Sequence, residues 1–396
     1  MFNLVFVTFL VEMAAGWDMD GHKIISLIAG NLISEKGTRY VRETLGLSQL
    51  DDVPRRMAAA SIEPDQWKTS PAYAWSRNFH FAFSDEETNC AAYDETRDCP
   101  GGRCIVTALA HYTIKAFDVN ISPQERAEAL TFLLHFMGDI HQPLHMGFVS
   151  DFGATQLWLS SPQMNLHRLW DFFLLNYHME RTHPGNWNHH TVFQQLIGDV
   201  ESFLSGTKKV NRFFNFNDVQ SYDSVLARME WIAADTSSRL TCNVAYRHVD
   251  GTRIQSGDVL ETKYLESRSS IVMSQFQKAG YRLAHLIDAV ADRYYGVKAY
   301  HKKMTSPPKK VMPSPIVAAY DPVDDTSFSC LEIDDSDPET NQEDPLDNSY
   351  GDLKVAELSD DEKKKIANKK IKIPKKTGSG GFVPSSKGKK HKNSCR

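Results

Sequence analysis

The 396-residue sequence lacks, outside its first residues, any apolar run approaching the eighteen or more residues that a membrane-spanning helix needs, which excludes a stable integral anchor. Positive charge is not in excess either. With 45 Lys and Arg against 50 Asp and Glu, the net charge is -5. That argues against a nucleic-acid binder working through a basic face alone, so any nucleic-acid activity must come from a local site. Cysteine is sparse at six residues, and the paired CxxC spacing of a zinc ribbon is absent. Strand-like alternation is rare and no internal repeat is evident. What remains is a chain 41% hydrophobic and 24% charged, the composition of a soluble globular protein with a core of ordinary size.

The first sixteen residues read as an export signal. Leu4 to Val11 is an apolar run of signal-peptide length, and Ala14 and Gly16 place small residues three and one before Trp17. A basic leading segment is missing, and Glu12 sits where charge is unwelcome. The expectation is a leader over residues 1–16 and a secreted or lumenal protein, which also suits the cysteines. Cys99 and Cys104 flank Pro100-Gly101-Gly102, a turn able to close a small disulfide loop, and Cys90 and Cys242 are then able to pair over a long distance. Cys330 and Cys395 lie in a different kind of sequence and receive no assigned pairing.

Residues 17–298 read as one helical domain, all-α in class. Ile24, Ile25, Ile28, Leu32 and Ile33 recur at helical spacing after Gly21-His22. Ser122-Pro123-Gln124-Glu125 has a capping-box pattern with proline at the first helical position. Leu130, Leu133, Leu134, Met137 and Ile140 then form the buried stripe of a long helix. Further helices are expected over Asn165 to His178 and Ser270 to Tyr295. Residues 299–396 change character: prolines, an acidic stretch from Asp321 to Asp352, then lysines from Lys363 to Lys376. Such a segment buries too little apolar area to offset its ordering entropy, and a disordered tail is expected.

The segment that carries chemistry is His135-Phe136-Met137-Gly138-Asp139-Ile140-His141-Gln142-Pro143-Leu144-His145. His135 and Asp139, four apart on a helix, project from the same face. Pro143 ends that helix near His141 and lets His145 turn toward a neighbouring site. In Asn165-Leu166-His167-Arg168-Leu169-Trp170-Asp171 the device recurs, with His167 and Asp171 four apart. One histidine beside a carboxylate is common among 15 histidines. Two such pairs, a proline-broken continuation and a Gly-His at a helix start together are what a metal site between helices needs.

These pieces resemble the S1/P1-type zinc nucleases, which cut single-stranded nucleic acid, over Trp17 to about Asp292. The family's mature chain opens with tryptophan and a Gly-His a few residues on, as Trp17-Asp18-Met19-Asp20-Gly21-His22 does. Asp65 and Lys68, His80 in Asn78-Phe79-His80-Phe81, Trp231 to Asp235 and Gly280 to Ala284 are similar too. The resemblance implies the helical fold shared by zinc phospholipase C and P1 nuclease, with disulfides 99 to 104 and 90 to 242. It implies three zinc ions: one on Asp65, His80, His135 and Asp139; a second sharing Asp139 with His22 and the amine and carbonyl of Trp17; a third on His145, His167 and Asp171. The implied substrates are single-stranded DNA and RNA, cut to 5′-phosphorylated products, and 3′-mononucleotides. Water activated between two zincs attacks in line, and the third metal stabilises the leaving oxygen. Lys68 is placed by the resemblance to neutralise phosphoryl oxygens. Phe81 is the candidate platform for stacking an unpaired base, with core packing as its other reading. Asp85, five after His80, is an acidic candidate near the attacking water or else a solvated loop residue. The chain is expected to act as a monomer.

Two departures bear on substrate preference. Asp151-Phe152-Gly153-Ala154-Thr155 stands where the family usually shows paired glycines and an asparagine, and Phe172 and Phe173 follow Asp171 where smaller or polar residues are commoner. The rival readings are a zinc phospholipase C-like phosphodiesterase and a non-catalytic zinc-binding surface protein. The Asp65-to-Lys68 spacing and the cysteine pattern favour the nuclease.

Overall fold

Side-chain caps set where the helices of the computed structural model begin. The Ser122 hydroxyl accepts from the Glu125 amide at 3.2 Å, and the Glu125 carboxylate accepts from the Ser122 amide at 3.0 Å. With Pro123 at the first position, this capping box starts the helix Pro123–Asp139. From Ala129 to Asp139 every side chain of that helix is buried, so it forms the centre of the bundle. It packs against Ile105–Phe117, Met19–Leu32 and the last helix, Thr262–Thr305. Asp18 caps Met19–Leu32 in turn, and Ile24, Ile25 and Ile28 turn its apolar stripe inward against Val53–Ala60 and the last helix. The expected all-α class holds: among the described residues β pairing is confined to isolated bridges.

The structure describes residues 17–85, 92–185 and 220–305, together with 188, 190, 192 and 216. The expected leader over 1–16, Cys90, Cys330 and Cys395 therefore lie outside the described residues, as does the tail from 306. No described helix is long and apolar enough to cross a membrane. Cys99 and Cys104 are joined by a disulfide across a Cα separation of 5.2 Å, and Cys242 is disulfide-bonded as well.

Two helices differ from the sequence reading. The segment expected as one helix over Asn165 to His178 begins as read, with the Asn165 side chain accepting from the Arg168 amide. It then widens into a π-turn over Leu169–Phe173 before resuming as Leu174–Thr182. Such wide turns are energetically poor and occur often at functional sites; this one carries Asp171. The last helix runs over Thr262–Thr305, eight residues earlier and ten later than the Ser270 to Tyr295 expected. Its ends lack a sustained apolar stripe, so periodicity does not reveal them, and it continues past the expected domain end at 298.

Candidate metal centre

The central helix delivers His135 and Asp139 one turn apart, and both are completely buried. Asp65, on the short helix Glu63–Trp67, and His80, at the end of the 3-10 turn Ala74–His80, reach the same point. Asp139 Oδ2 lies 3.0 Å from both His80 Nδ1 and His135 Nε2, which are themselves 3.0 Å apart. Asp65 Oδ1 stands 3.7 Å from His80 Nδ1 and 3.5 Å from His135 Nε2. Four donors around one zinc at its usual 2.0–2.1 Å bond length would be about 3.3 Å apart, so these separations fit a tetrahedral ion.

The other oxygen of Asp139 faces a different partner. Oδ1 is 3.3 Å from His22 Nε2, and neither atom has a partner in hydrogen-bonding geometry although both are buried. Trp17 is fully buried beside them; its indole Nε1 donates to the Gly138 carbonyl at 2.9 Å, one residue before Asp139. A third group, His145, His167 and Asp171, brings one potential ligand atom from each within 4.8 Å of one another. There His167 Nε2 is 3.2 Å from Asp171 Oδ2.

Backbone carbonyls choose which ring nitrogen each histidine presents. His135 Nδ1 donates to the Ser61 carbonyl at 2.8 Å, His145 Nδ1 to the His80 carbonyl at 2.6 Å, and His167 Nδ1 to the Gly153 carbonyl at 2.5 Å. Each bond leaves Nε2 as the lone-pair atom, the arrangement that metal-ligating imidazoles use. The Nε2 atom of His145 is buried without a hydrogen-bond partner. A buried polar atom left so is costly unless something else satisfies it. Nitrogen and oxygen donors with no thiolate fit zinc.

The charges point the same way. Burial pushes His80 down to about 3 and His145 down to about 4, so both offer lone pairs at neutral pH. Burial lowers His22 also, helped by the nearby His135. For His135 burial works downward too, but Asp139 and Asp65 outweigh it and raise it to about 10, so a metal ion taking its Nε2 would displace a proton from that atom. Both carboxylates are raised by burial, yet the His135 charge prevails and holds them well below the usual carboxylate range. A buried carboxylate, Asp139, and a half-buried one, Asp65, converging on one point favour positive charge between them.

The remaining sequence candidates fall around these groups. Lys68 is buried, with Nζ 2.5 Å from Asp65 Oδ1. Phe81 directly follows His80 and is half-buried. Asp85 is exposed and is not gathered into the clusters. The sequence reading passed over Gln142, whose side-chain amide donates to Asp171 Oδ1 at 2.5 Å and so orients that carboxylate. Its place one residue before Pro143, three residues past the end of the motif helix, was the available signal. His141, within the same motif, is structural: Nδ1 donates to the Met137 carbonyl at 2.7 Å and Nε2 accepts from Arg282 at 2.6 Å. A cavity of about 580 Å³ lined by Phe216, Arg293 and Tyr300 contains none of these ligands and does not mark the centre.

Gly138 shows how closely the first helix docks. A Cβ there would stand 2.9 Å from His22 Nδ1, so the imidazole rests on bare helix backbone. Gly138→Ala is therefore expected to destabilise the protein by about 1–3 kcal/mol through overpacking. Thermal denaturation reads this directly; an unchanged melting temperature would refute the tight fit.

A profile described as S1/P1 nuclease matches residues 17–292. The chain is 28% identical to "Endonuclease 3" of Arabidopsis thaliana over 299 residues, covering 73% of this chain and 93% of that protein. To "Nuclease P1" of Penicillium citrinum it is 27% identical over 296 residues, 69% of this chain and 97% of the relative. To "Nuclease S1" of Aspergillus oryzae it is 26% identical over 286 residues, with shares of 72% and 95%.

Proposed function

The chain belongs to the S1/P1 nuclease family, and on that premise we propose that it is a secreted, zinc-dependent endonuclease acting on single-stranded DNA and RNA. One observation carries the zinc reading: Asp65, His80, His135 and Asp139 converge with separations of 3.0 to 3.7 Å at a buried point. Those four would hold one ion. Asp139, His22 and the main chain of Trp17 would hold a second, and His145, His167 and Asp171 a third. Zinc bound there supplies Lewis acidity toward a phosphoryl oxygen and makes water acidic enough to be a nucleophile near neutral pH.

The chain's own groups then divide the work. Lys68, removed from solvent beside Asp65, offers a positive charge to the equatorial oxygens of phosphorus, where negative charge grows during cleavage. Phe81 offers an aromatic face to the base beside the cut. Breaking the bond between phosphorus and the 3′ oxygen leaves phosphate on the 5′ side. The same bond is present in a 3′-mononucleotide, so 3′-nucleotidase activity follows from the same chemistry. Export with removal of residues 1–16 would free the Trp17 amine for its metal, and the disulfides of Cys99, Cys104 and Cys242 suit an oxidising compartment. We propose a monomer whose solvated tail begins after the last helix, over residues 306–396.

Single-stranded DNA, single-stranded RNA, duplex DNA, a 3′-mononucleotide and phosphatidylcholine form the deciding substrate panel. Unpaired strands should be cut far faster than duplex, because a paired base cannot reach Phe81 without unstacking. Phe81→Ala should weaken apparent binding of single strands by about 1–3 kcal/mol while leaving zinc content unchanged. Preferential cleavage of the lipid would replace this reading with the phospholipase one, and no hydrolysis of any substrate by the zinc-loaded protein would point to the binding module.

A further inference from the structure

Phe81 does not stand alone. Beyond His80 the backbone becomes extended, with Phe81 at φ -151° and ψ 167°. It is then pinned along the segment that carries His145: the Ala82 amide donates to the His145 carbonyl at 2.9 Å, and the Ser84 amide to the Gly147 carbonyl at 2.8 Å. In an extended chain alternate side chains share a side. Ala82 is turned into the core, so Phe81 and Phe83 emerge together on the other face. Their rings are stacked, with centroids 4.2 Å apart and planes 8° from parallel. Both are half-buried, and among the described residues Phe83 is the one ring neighbour of Phe81.

The far edge of Phe83 rests on Gly153. A Cβ at that glycine would lie 2.6 Å from the Phe83 ring and 2.4 Å from the Leu144 carbonyl oxygen, and its φ of +63° suits glycine. The turn is braced from below, where Asp151 Oδ1 accepts from the Tyr246 hydroxyl at 2.8 Å and from the Ala154 amide at 2.7 Å. The departing segment Asp151 to Ala154 thus gives Phe83 a rigid floor.

We propose that Phe83 is a positioning residue that determines substrate specificity: it closes one face of Phe81, holds that ring in a single orientation, and leaves the opposite face as the surface on which an unpaired nucleobase stacks. This rests on the reading of Phe81 as the base platform. A ring already fixed loses less rotational freedom when a base arrives, so the pair binds more tightly than an isolated phenylalanine.

The test uses the zinc-loaded enzyme and a single-stranded oligonucleotide carrying 2-aminopurine, whose fluorescence is quenched by stacking and is followed by stopped flow before cleavage. Phe83→Leu should raise KM roughly 3- to 10-fold with a smaller change in kcat, weaken the quench and retain the zinc. Phe83→Met, closer in length, serves if the leucine variant does not fold. Phe81→Leu should raise KM further and remove the quench. If Phe81→Leu has these effects while Phe83→Leu leaves KM and quench at parental values, the platform stands and the role of Phe83 is overturned. If neither variant changes KM or quench, the platform reading itself fails. If Phe83→Leu instead lowers kcat and loses zinc at unchanged KM, Phe83 acts through Gly153 on His167, and the proposal is again overturned.

Discussion

Replacing Asp139 by alanine is expected to lower kcat by about 10³-fold or more and to release at least two of the three proposed zinc ions. Loss of a single electrostatic donor at a reacting centre costs about 10²–10³, and Asp139 supplies more than one contact. Its Oδ2 lies 3.0 Å from His80 Nδ1 and from His135 Nε2, while Oδ1 lies 3.3 Å from His22 Nε2. A carboxylate that faces two sets of imidazoles through its two oxygens is built to bridge. Asp139→Asn preserves the shape and removes the charge, so it separates ligand charge from packing. Elemental analysis beside single-strand hydrolysis gives the result. A variant that keeps three zincs and full turnover would remove Asp139 from the centre.

The next largest effect is expected at the chain start. One glycine retained before Trp17 should reduce zinc to about two per chain and lower activity on the order of 100-fold, with the fold preserved. The free amine has an ordinary pKa of about 7.7–8.0 and gives up its proton when it binds metal; an amide nitrogen is a far poorer ligand. Nor does the surrounding structure let the chain slide to compensate. The Trp17 indole is held by the Gly138 carbonyl and packs edge-on against Phe276 with centroids 4.8 Å apart. The next residue, Asp18, caps the first helix through its side chain, and its amide meets the Asp171 carbonyl at 3.3 Å. If the proposed export and processing occur, N-terminal sequencing of the active mature protein should begin at Trp17. An extended protein with three zincs and parental turnover would sink the second site as drawn.

Much of this centre was legible because its strongest signals are local. The capping box at Ser122 and the His135–Asp139 spacing need only helix geometry, in which residues four apart share a face. Asn165 was readable as a helix start for the same reason, since a cap acts within one turn. Gln142 and the π-turn at Asp171 were not readable. A side-chain amide choosing a carboxylate 29 residues away, or a helix widening by one residue per turn, leaves no periodic trace. Phe83 was passed over because nothing in its neighbours along the chain predicts a parallel stack on Phe81.

By itself, then, the sequence determined the helical class, the caps and the identity of the histidines and aspartates, all properties carried within a few residues of chain. Only the tertiary structure decided which nitrogen each histidine presents. The carbonyls that make the choice, Ser61 for His135, His80 for His145 and Gly153 for His167, lie 74, 65 and 14 residues away in the chain. A hydrogen bond of that span exists only after the helices have packed, so the tautomer of a ligand belongs to the fold and not to its motif.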